Sequence, residues 1–481
     1  MPFIAPDLVP VFPEMILAGA AMLLLLLGVA SKKEDYSLIS CLSVLVLLGV
    51  GTVILRYSGT MGLSFNGMFI IDSFSKYMKL LVVAGSAVSL MMAGGFLERE
   101  KINRVEYPVL ALFSTLGMML MISANDLMSL YMSLELQSLP LYVLASIRRD
   151  SLRSTEAGLK YFVLGALSSG LLLYGSSLIY GFSGATGFVQ IAASLHGHAG
   201  IPLGVVTGMV MILSGLAFKI SAVPFHMWAP DVYEGAPTPV TAFFAIAPKV
   251  AAIALIARVL TGPFGEMTEQ WRQVIIAISM ASMLLGGVAA VVQTNIKRLL
   301  AYSSIGHMGY ALIGLATASK AGIQGIVIYM TLYVAMSIGV FCIVLMMKQK
   351  GKMVENISDL SGLAGEHPLL ALAMSLMMFS MAGIPPLAGF FGKLFIFQSA
   401  ITAGLYTLAV VGVLTSVIAA YYYLRIIKVM YFDAAGVPID KAQDRGLNLI
   451  LAAASFVVVF FIALPSPLLN SAAVAAQALI K

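Results

Sequence analysis

"HPLLALAMSLMMFSMAGIPPLAGFFGKLFIFQSAITAG", residues 367–404, is too apolar to lie in water and too long to be one membrane helix. At 1.5 Å per residue it would form a rod of roughly 57 Å, about twice a hydrocarbon core of roughly 30 Å. Something must interrupt it. Gly383, Pro385, Pro386 and Gly389 do so, because proline removes backbone donors and glycine permits unwinding. In lipid such a break survives only where protein or water satisfies the freed groups. A second interruption surrounds Pro224 in "SGLAFKISAVPFHMWAPDVYEGAPTPV", residues 214–240.

Working outward, apolar runs of membrane-spanning length recur along the chain, such as "MILAGAAMLLLLLGVA" from Met15 and "LILAAASFVVVFFIALPSPLL" from Leu449. Hydrophobic residues make up 60% of the sequence and charged residues 10%, against roughly 25% charged in soluble domains. The pattern predicts an all-α polytopic membrane protein of about 14 transmembrane helices, centred near residues 22, 46, 86, 115, 136, 168, 212, 250, 282, 308, 334, 385, 417 and 458. Helices 7 and 12 are the discontinuous ones. The first run follows Pro10, Pro13 and Glu14 with no basic segment ahead of it, so it is expected to stay as a helix.

Basic residues crowd alternate loops: Lys32 and Lys33; Arg99, Lys101 and Arg104; Arg148, Arg149 and Arg153; Lys297 and Arg298; Lys348, Lys350 and Lys352; Lys428, Lys441 and Arg445. The opposite loops hold little beyond Arg56, Arg272 and Lys320. The positive-inside rule makes the crowded loops cytoplasmic and puts both termini outside. The net charge of +6 is thus a matter of topology, and it implies no nucleic-acid partner. The loop from Phe225 to Thr238 is the exception, with His226, Asp231 and Glu234 but no Lys or Arg.

The two breaks can be set against each other, "FKISAVPF" on "FSMAGIPP", which matches Ser221 with Ala382 and Pro224 with Pro385. Two helices earlier, "NDLMSLYMSLELQSLP" sets beside "NIKRLLAYSSIGHMGY", with Tyr131 on Tyr302 and Ser133 on Ser304. The similarity is slight. It suggests two five-helix repeats, the second inverted because five is odd, with the interrupted helices marking a transport path. The expected units are an N-terminal three-helix segment (1–106), a first repeat of helices 4–8 (107–262), an inverted repeat of helices 9–13 (263–430) and a final helix 14 (431–481).

Four charges fall within the apolar runs: Glu135, Lys219, Lys249 and Lys393. An ionised side chain at mid-bilayer costs at least roughly 2.5–3.5 kcal/mol, so each needs partners or water and marks a functional hypothesis. A lysine in water holds its proton too tightly to pass it on near neutral pH, and burial in general weakens that hold by as much as several pKa units. Other polar groups read more blandly. Lys160, Arg258 and Arg425 lie near span ends and are expected to snorkel. His307 and His226 read equally as proton relays or as hydrogen-bonded packing. Trp228 and Trp271 read as interface anchors, and His196 and His198 lie in an external loop without metal-ligand company. Cys41 and Cys342 read as small core residues. No CxxC, HExxH, GxGxxG or P-loop pattern stands out.

"SGLAFKISAVPFHMWAPDVYEGAPTPVTAFF", "NIKRLLAYSSIGHMGYALIG" and "GIPPLAGFFGKLFIF" together resemble the antiporter-like membrane subunits of respiratory complex I, which are related to subunits of multisubunit sodium/proton antiporters. The resemblance covers essentially the whole chain. "YEGAPTPVT" and a lysine on the second broken helix resemble the subunit N branch of the bacterial NADH:quinone oxidoreductases. It implies that Glu135 is the fifth-helix glutamate, Lys219 the seventh-helix lysine paired with it, Lys249 the central eighth-helix lysine and Lys393 the twelfth-helix lysine near the outward path. Lys160, His226 and His307 are further relay candidates. The resemblance implies no cofactor in this chain, with NADH, FMN, iron–sulfur clusters and quinone in partner subunits. The expected partners are other membrane-arm subunits, related antiporter-like ones among them, within the lipid of a bacterial inner membrane. A subunit of a sodium/proton antiporter, a scaffold whose buried charges only hold helices together, and a many-span solute carrier stay open as alternatives.

Overall fold

The computed structural model describes residues 8–30, 36–56, 62–196, 200–440 and 444–480. The chain opens with α1 (Phe12–Ala30), α2 (Tyr36–Arg56) and α3 (Ser73–Arg99), a small antiparallel hairpin of β1 (Gly62–Ser64) and β2 (Phe69–Ile71) lying between the last two. Next come α4 (Glu106–Ile122), α5 (Leu127–Ala145), α6 (Leu152–Ser183), the short α7 (Phe188–Leu195), α8 (Leu203–Lys219), α9 (Trp228–Gly235) and α10 (Thr238–Thr261). They are followed by α11 (Thr268–Val291), α12 (Ile296–Ala316), α13 (Lys320–Met346), the hairpin of β3 (Lys348–Gln349) and β4 (Lys352–Met353), α14 (Leu363–Glu366), α15 (Pro368–Ala382), α16 (Ala388–Thr402) and α17 (Tyr406–Phe432). The chain closes with α18 (Arg445–Phe460) and α19 (Ser466–Leu479). Each expected span centre falls on a helix, apart from the one near 385, which falls in the gap between α15 and α16. Among the described residues, nine helices are long and apolar enough to cross a membrane. The protein is a multi-pass, all-α membrane protein.

Helix starts follow from local chemistry. Asp72, Asp126, Ser151, Asn295, Ser319 and Asp444 each accept from an N-terminal amide of the helix they precede, filling a donor no intrahelical carbonyl can reach. Helix α10 is buried all round, and α12 and α13 nearly so. By contrast α2, α6 and α17 expose apolar side chains such as Leu55, Leu167 and Val417. A fold whose central helices carry the polar residues and whose outer helices show leucine is arranged for lipid. Close approach is bought with small residues: a Cβ on Gly286 of α11 would stand 2.7 Å from the Gly306 nitrogen of α12.

Four cations close helix ends. Arg258 Nε donates to Ile122 O at the end of α4 (3.0 Å), Arg272 Nε to Ala316 O at the end of α12 (3.1 Å), and Arg425 to Val291 O and Gln293 O at the end of α11. Lys297 Nζ donates to Ala236 O, just past α9 (3.1 Å). The last carbonyls of a helix lack intrahelical donors and carry the negative end of its dipole, so a cation there solves two problems at once. Arg258 does not snorkel. It is buried, and its guanidinium also grips the Asp72 carboxylate at 2.8 and 3.0 Å. A second buried pair, Lys79–Glu14 at 2.6 Å, joins α3 to α1. Trp228 and Trp271 are buried rather than interfacial, Trp228 being stacked on Tyr161 with ring centroids 4.3 Å apart. Cys342 is buried as expected, but Cys41 is exposed on the outside of α2. Lys32, Lys33, His198 and Lys441 lie outside the described residues.

Candidate functional site

Helix α5 presents Glu135, Ser138 and Tyr142 on one face, since residues three and seven apart line up on a helix. Lys219, the last residue of α8, lands on that face. Its Nζ donates to Ser138 Oγ at 2.7 Å and to Tyr142 OH at 3.4 Å. It makes no contact ion pair with Glu135, whose carboxylate acts on it through space. The reason is geometric: the ammonium meets the face one and two turns beyond the glutamate, where the hydroxyls are.

The two interruptions are built alike. After α8, Ser221 N donates to Phe218 O (3.0 Å) and Ala222 N to Ala217 O (2.9 Å), with Ser221 in the left-handed region at φ +58°. After α15, Gly383 N donates to Ser380 O (2.9 Å) and Ile384 N to Phe379 O (3.0 Å), with Gly383 at φ +87°. Both are Schellman closures. They match Ser221 with Gly383, one residue later than the match by residue identity, because the left-handed position fixes the register and the neighbouring prolines do not. A second correspondence precedes them. Leu127 N–Thr186 O (2.9 Å) and Phe188 N–Asn125 O (3.0 Å) recur 169 residues on as Ile296 N–Glu355 O (2.7 Å) and Ile357 N–Thr294 O (2.8 Å). That register differs by two residues from the one that set Tyr131 on Tyr302.

A lysine closes each break. Lys249 Nζ, from the buried α10, donates to Ile220 O at 2.9 Å and Ser221 Oγ at 2.5 Å, and lies 5.4 Å from the Trp228 ring centroid. Lys393 Nζ, from α16, donates to Ala382 O at 2.9 Å and Ser416 Oγ at 2.8 Å, 4.9 Å from the Tyr310 ring centroid. Protein groups thus satisfy the backbone that the breaks set free.

His307 is buried on α12, one ring nitrogen 2.6 Å from Tyr329 OH and the other 3.0 Å from Tyr423 OH. Tyr423 OH also meets Ser303 Oγ at 2.6 Å. A cavity of about 10 Å³, lined by His307, Tyr310, Lys393 and Tyr423 among others, has room for roughly one water. Lys160 lies apart from this line, 40% exposed, bonded to Glu156 and Asp231 at 2.7 Å each. Arg298 joins that cluster through Asp231 (2.7 Å) and Glu234 (3.0 Å). Burial pushes the Asp231 carboxyl up, but Lys160 and Arg298 outweigh it and hold it below the usual carboxylate range. His226 lies half-buried in the loop between α8 and α9.

Residues 124–419 match the family described as "NADH:quinone oxidoreductase/Mrp antiporter, TM". The chain belongs to this family. Among curated members, the NADH-quinone oxidoreductase subunit N of Paramagnetospirillum magneticum is 55% identical over 477 residues, covering 98% of each chain. A chain of respiratory complex I from Thermus thermophilus, solved with bound aureothin, superposes with a TM-score of 0.82 at 32% identity, covering 96% of this chain and 99% of that one. A chain of the Mrp complex from Dietzia shares the fold, with a TM-score of 0.81 at 23% identity over 98% and 99% of the two chains.

For this oxidoreductase/antiporter chain the sequence reading named the lysines and passed over their partners. Ser138, Ser221 and Ser416 look like ordinary small polar residues in apolar runs. Only Ser138 carried a signal, standing one turn beyond Glu135. The Lys79–Glu14 pair was also missed, because Lys79 in "SKYMKLLVV" follows Asp72 and Lys76 closely and reads as part of a charged span end.

Proposed function

We propose that the chain is the antiporter-like subunit N of a proton-pumping NADH:quinone oxidoreductase, embedded among the other membrane-arm subunits of that complex. What carries the reading is the line of three buried lysines, Lys219, Lys249 and Lys393, each held by a hydroxyl and free of any contact carboxylate among the described residues. A cation kept only for structure is best locked by an acid, as Arg258 is by Asp72. A cation that must shed its proton is better held by groups that tolerate the neutral amine.

On this reading protons enter from the side of the basic loops and pass from the Glu135–Lys219 region to Lys249, through the Tyr333–Ser304 and His307–tyrosine bonds, to Lys393. Glu135 biases Lys219 through space, so a change in its distance or protonation alters how readily Lys219 releases. Lys160 and His226 stay at the entrance as surface groups. The two halves, 107–262 and 263–430, are proposed inverted copies, supported by the recurring 125–188 and 294–357 bonds. Both termini face the periplasm of a bacterial inner membrane, supported by the basic-loop pattern. Electron transfer from NADH to quinone, with its flavin and iron–sulfur clusters, belongs to partner subunits. The test is to purify the complex through this chain, identify the partners by mass spectrometry, and measure NADH-driven proton uptake in vesicles. A chain that copurifies with no quinone reductase would overturn the assignment.

A further inference from the structure

Ser221 stands where a serine is costly. It closes the Schellman turn after α8 at φ +58°, a region disfavoured for every residue with a Cβ, and the matching turn after α15 uses Gly383. A glycine or asparagine would close the turn with less strain. Ser221 is fully buried, and its Oγ lies 2.5 Å from Lys249 Nζ. The other hydrogen-bond partner of that nitrogen is Ile220 O.

These two partners are not equivalent when the proton leaves. An ammonium has three donors and no lone pair, so either oxygen can accept from it. The neutral amine that remains keeps two N–H donors and gains one lone pair. A carbonyl can never donate to that lone pair, and the Trp228 N–H is already given to Phe218 O at 3.0 Å. A serine hydroxyl can rotate and donate. We propose that Ser221 is the positioning residue that makes Lys249 reversible: its hydroxyl oxygen accepts from the ammonium and, once the proton has passed to water, the hydroxyl turns so that its O–H donates to the free amine. Ser416 at Lys393 and Ser138 at Lys219 also accept from their lysines, with their own O–H groups given to Ala382 O (3.3 Å) and Leu134 O (2.6 Å). Hydroxyl groups therefore recur at all three nitrogens although the serines come from three different segments.

The test rests on the pumping assignment above and uses the assembled complex. Ser221→Gly removes the hydroxyl and relaxes the turn, as Gly383 shows. A serine kept only as a cap would make this change neutral. The expected result is normal assembly, unchanged KM for NADH and quinone, and kcat with coupled proton uptake lower by roughly fivefold, the worth of one neutral hydrogen bond. Ser221→Asn, which tolerates the left-handed region and carries an N–H donor, should recover part of the loss. Native kcat in Ser221→Gly overturns the proposal, and so does failure of that variant to assemble, which would make the serine structural. Lys249→Arg run alongside separates the two readings: if it pumps, the lysine assignment itself fails, and if it does not while Ser221→Gly does, only the role of the hydroxyl fails.

Discussion

Replacing Lys249 by methionine and by arginine separates its charge from its proton. Methionine deletes two charge-assisted hydrogen bonds, to Ile220 O and Ser221 Oγ, worth ~3–6 kcal/mol together. It also removes the need to bury an ammonium, which returns ~2.5–3.5 kcal/mol at mid-membrane. The net cost is about 0–3 kcal/mol, small enough for the subunit to assemble. Arginine keeps the charge and can still reach a carbonyl. With a pKa above 12, its neutral fraction at pH 7 is below about one in 10⁵, so it cannot relay. Both variants should be recovered in the complex near native amounts and lose most proton uptake per NADH oxidised, measured in vesicles alongside the thermal midpoint of the complex. Native pumping by assembled Lys249→Arg would refute the relay.

Three further outcomes follow from the geometry. In a double-mutant cycle on proton uptake, Glu135→Gln and Lys219→Met should couple by less than the roughly 4 kcal/mol of two charges in contact, because Ser138 and not Glu135 takes the ammonium; a larger coupling would restore the direct pair. Asp72→Ala strands a buried arginine and should cost about 3–5 kcal/mol in subunit stability, read as a lowered thermal midpoint or lost assembly; an unchanged midpoint would show that Arg258 needs only Ile122 O. A cysteine at position 350, in a background lacking Cys41 and Cys342, should react with an impermeant reagent only from the cytoplasmic side, and labelling of intact cells from outside would invert the proposed topology.

The fold was legible because lipid imposes length and apolarity on every span, and because two proline breaks cannot hide in such a chain. The buried cations were legible for the same reason: a lysine inside an apolar run has no cheap explanation. What they touch was not legible. Ser221 lies 28 positions from Lys249 and Ser416 lies 23 from Lys393, on separate segments, so no local pattern joins them. The residue-identity match of the breaks failed by one position for a related reason. Side chains near the turn are free to diverge, while the left-handed residue is held in place by backbone bonds that the sequence shows only when it is glycine. Arg258 misled in the other direction, since its partner Asp72 comes from a distant helix start and removes any need to reach for water.

The choice between arginine and lysine at helix ends carries the last step. Unbroken helices α4, α11 and α12 are finished by Arg258, Arg425 and Arg272, cations that cannot lose their charge at working pH. The end of α9 is finished by Lys297, which Glu355 holds at 2.6 Å. At the two breaks the finishing cation is again lysine, but with a hydroxyl in place of a carboxylate. If capping were the whole purpose, arginine would serve better there, having more donors and a charge that does not fluctuate. Lysine with serine is the weaker cap and the better proton carrier. If Lys249 and Lys393 carry protons as proposed, each departure of a proton would also withdraw a positive charge from the negative end of a half-helix and loosen the break it closes. On the proposed relay, proton movement and movement of the broken helices would then be one event, and a strain imposed on either break would act on the proton affinity of the lysine that closes it.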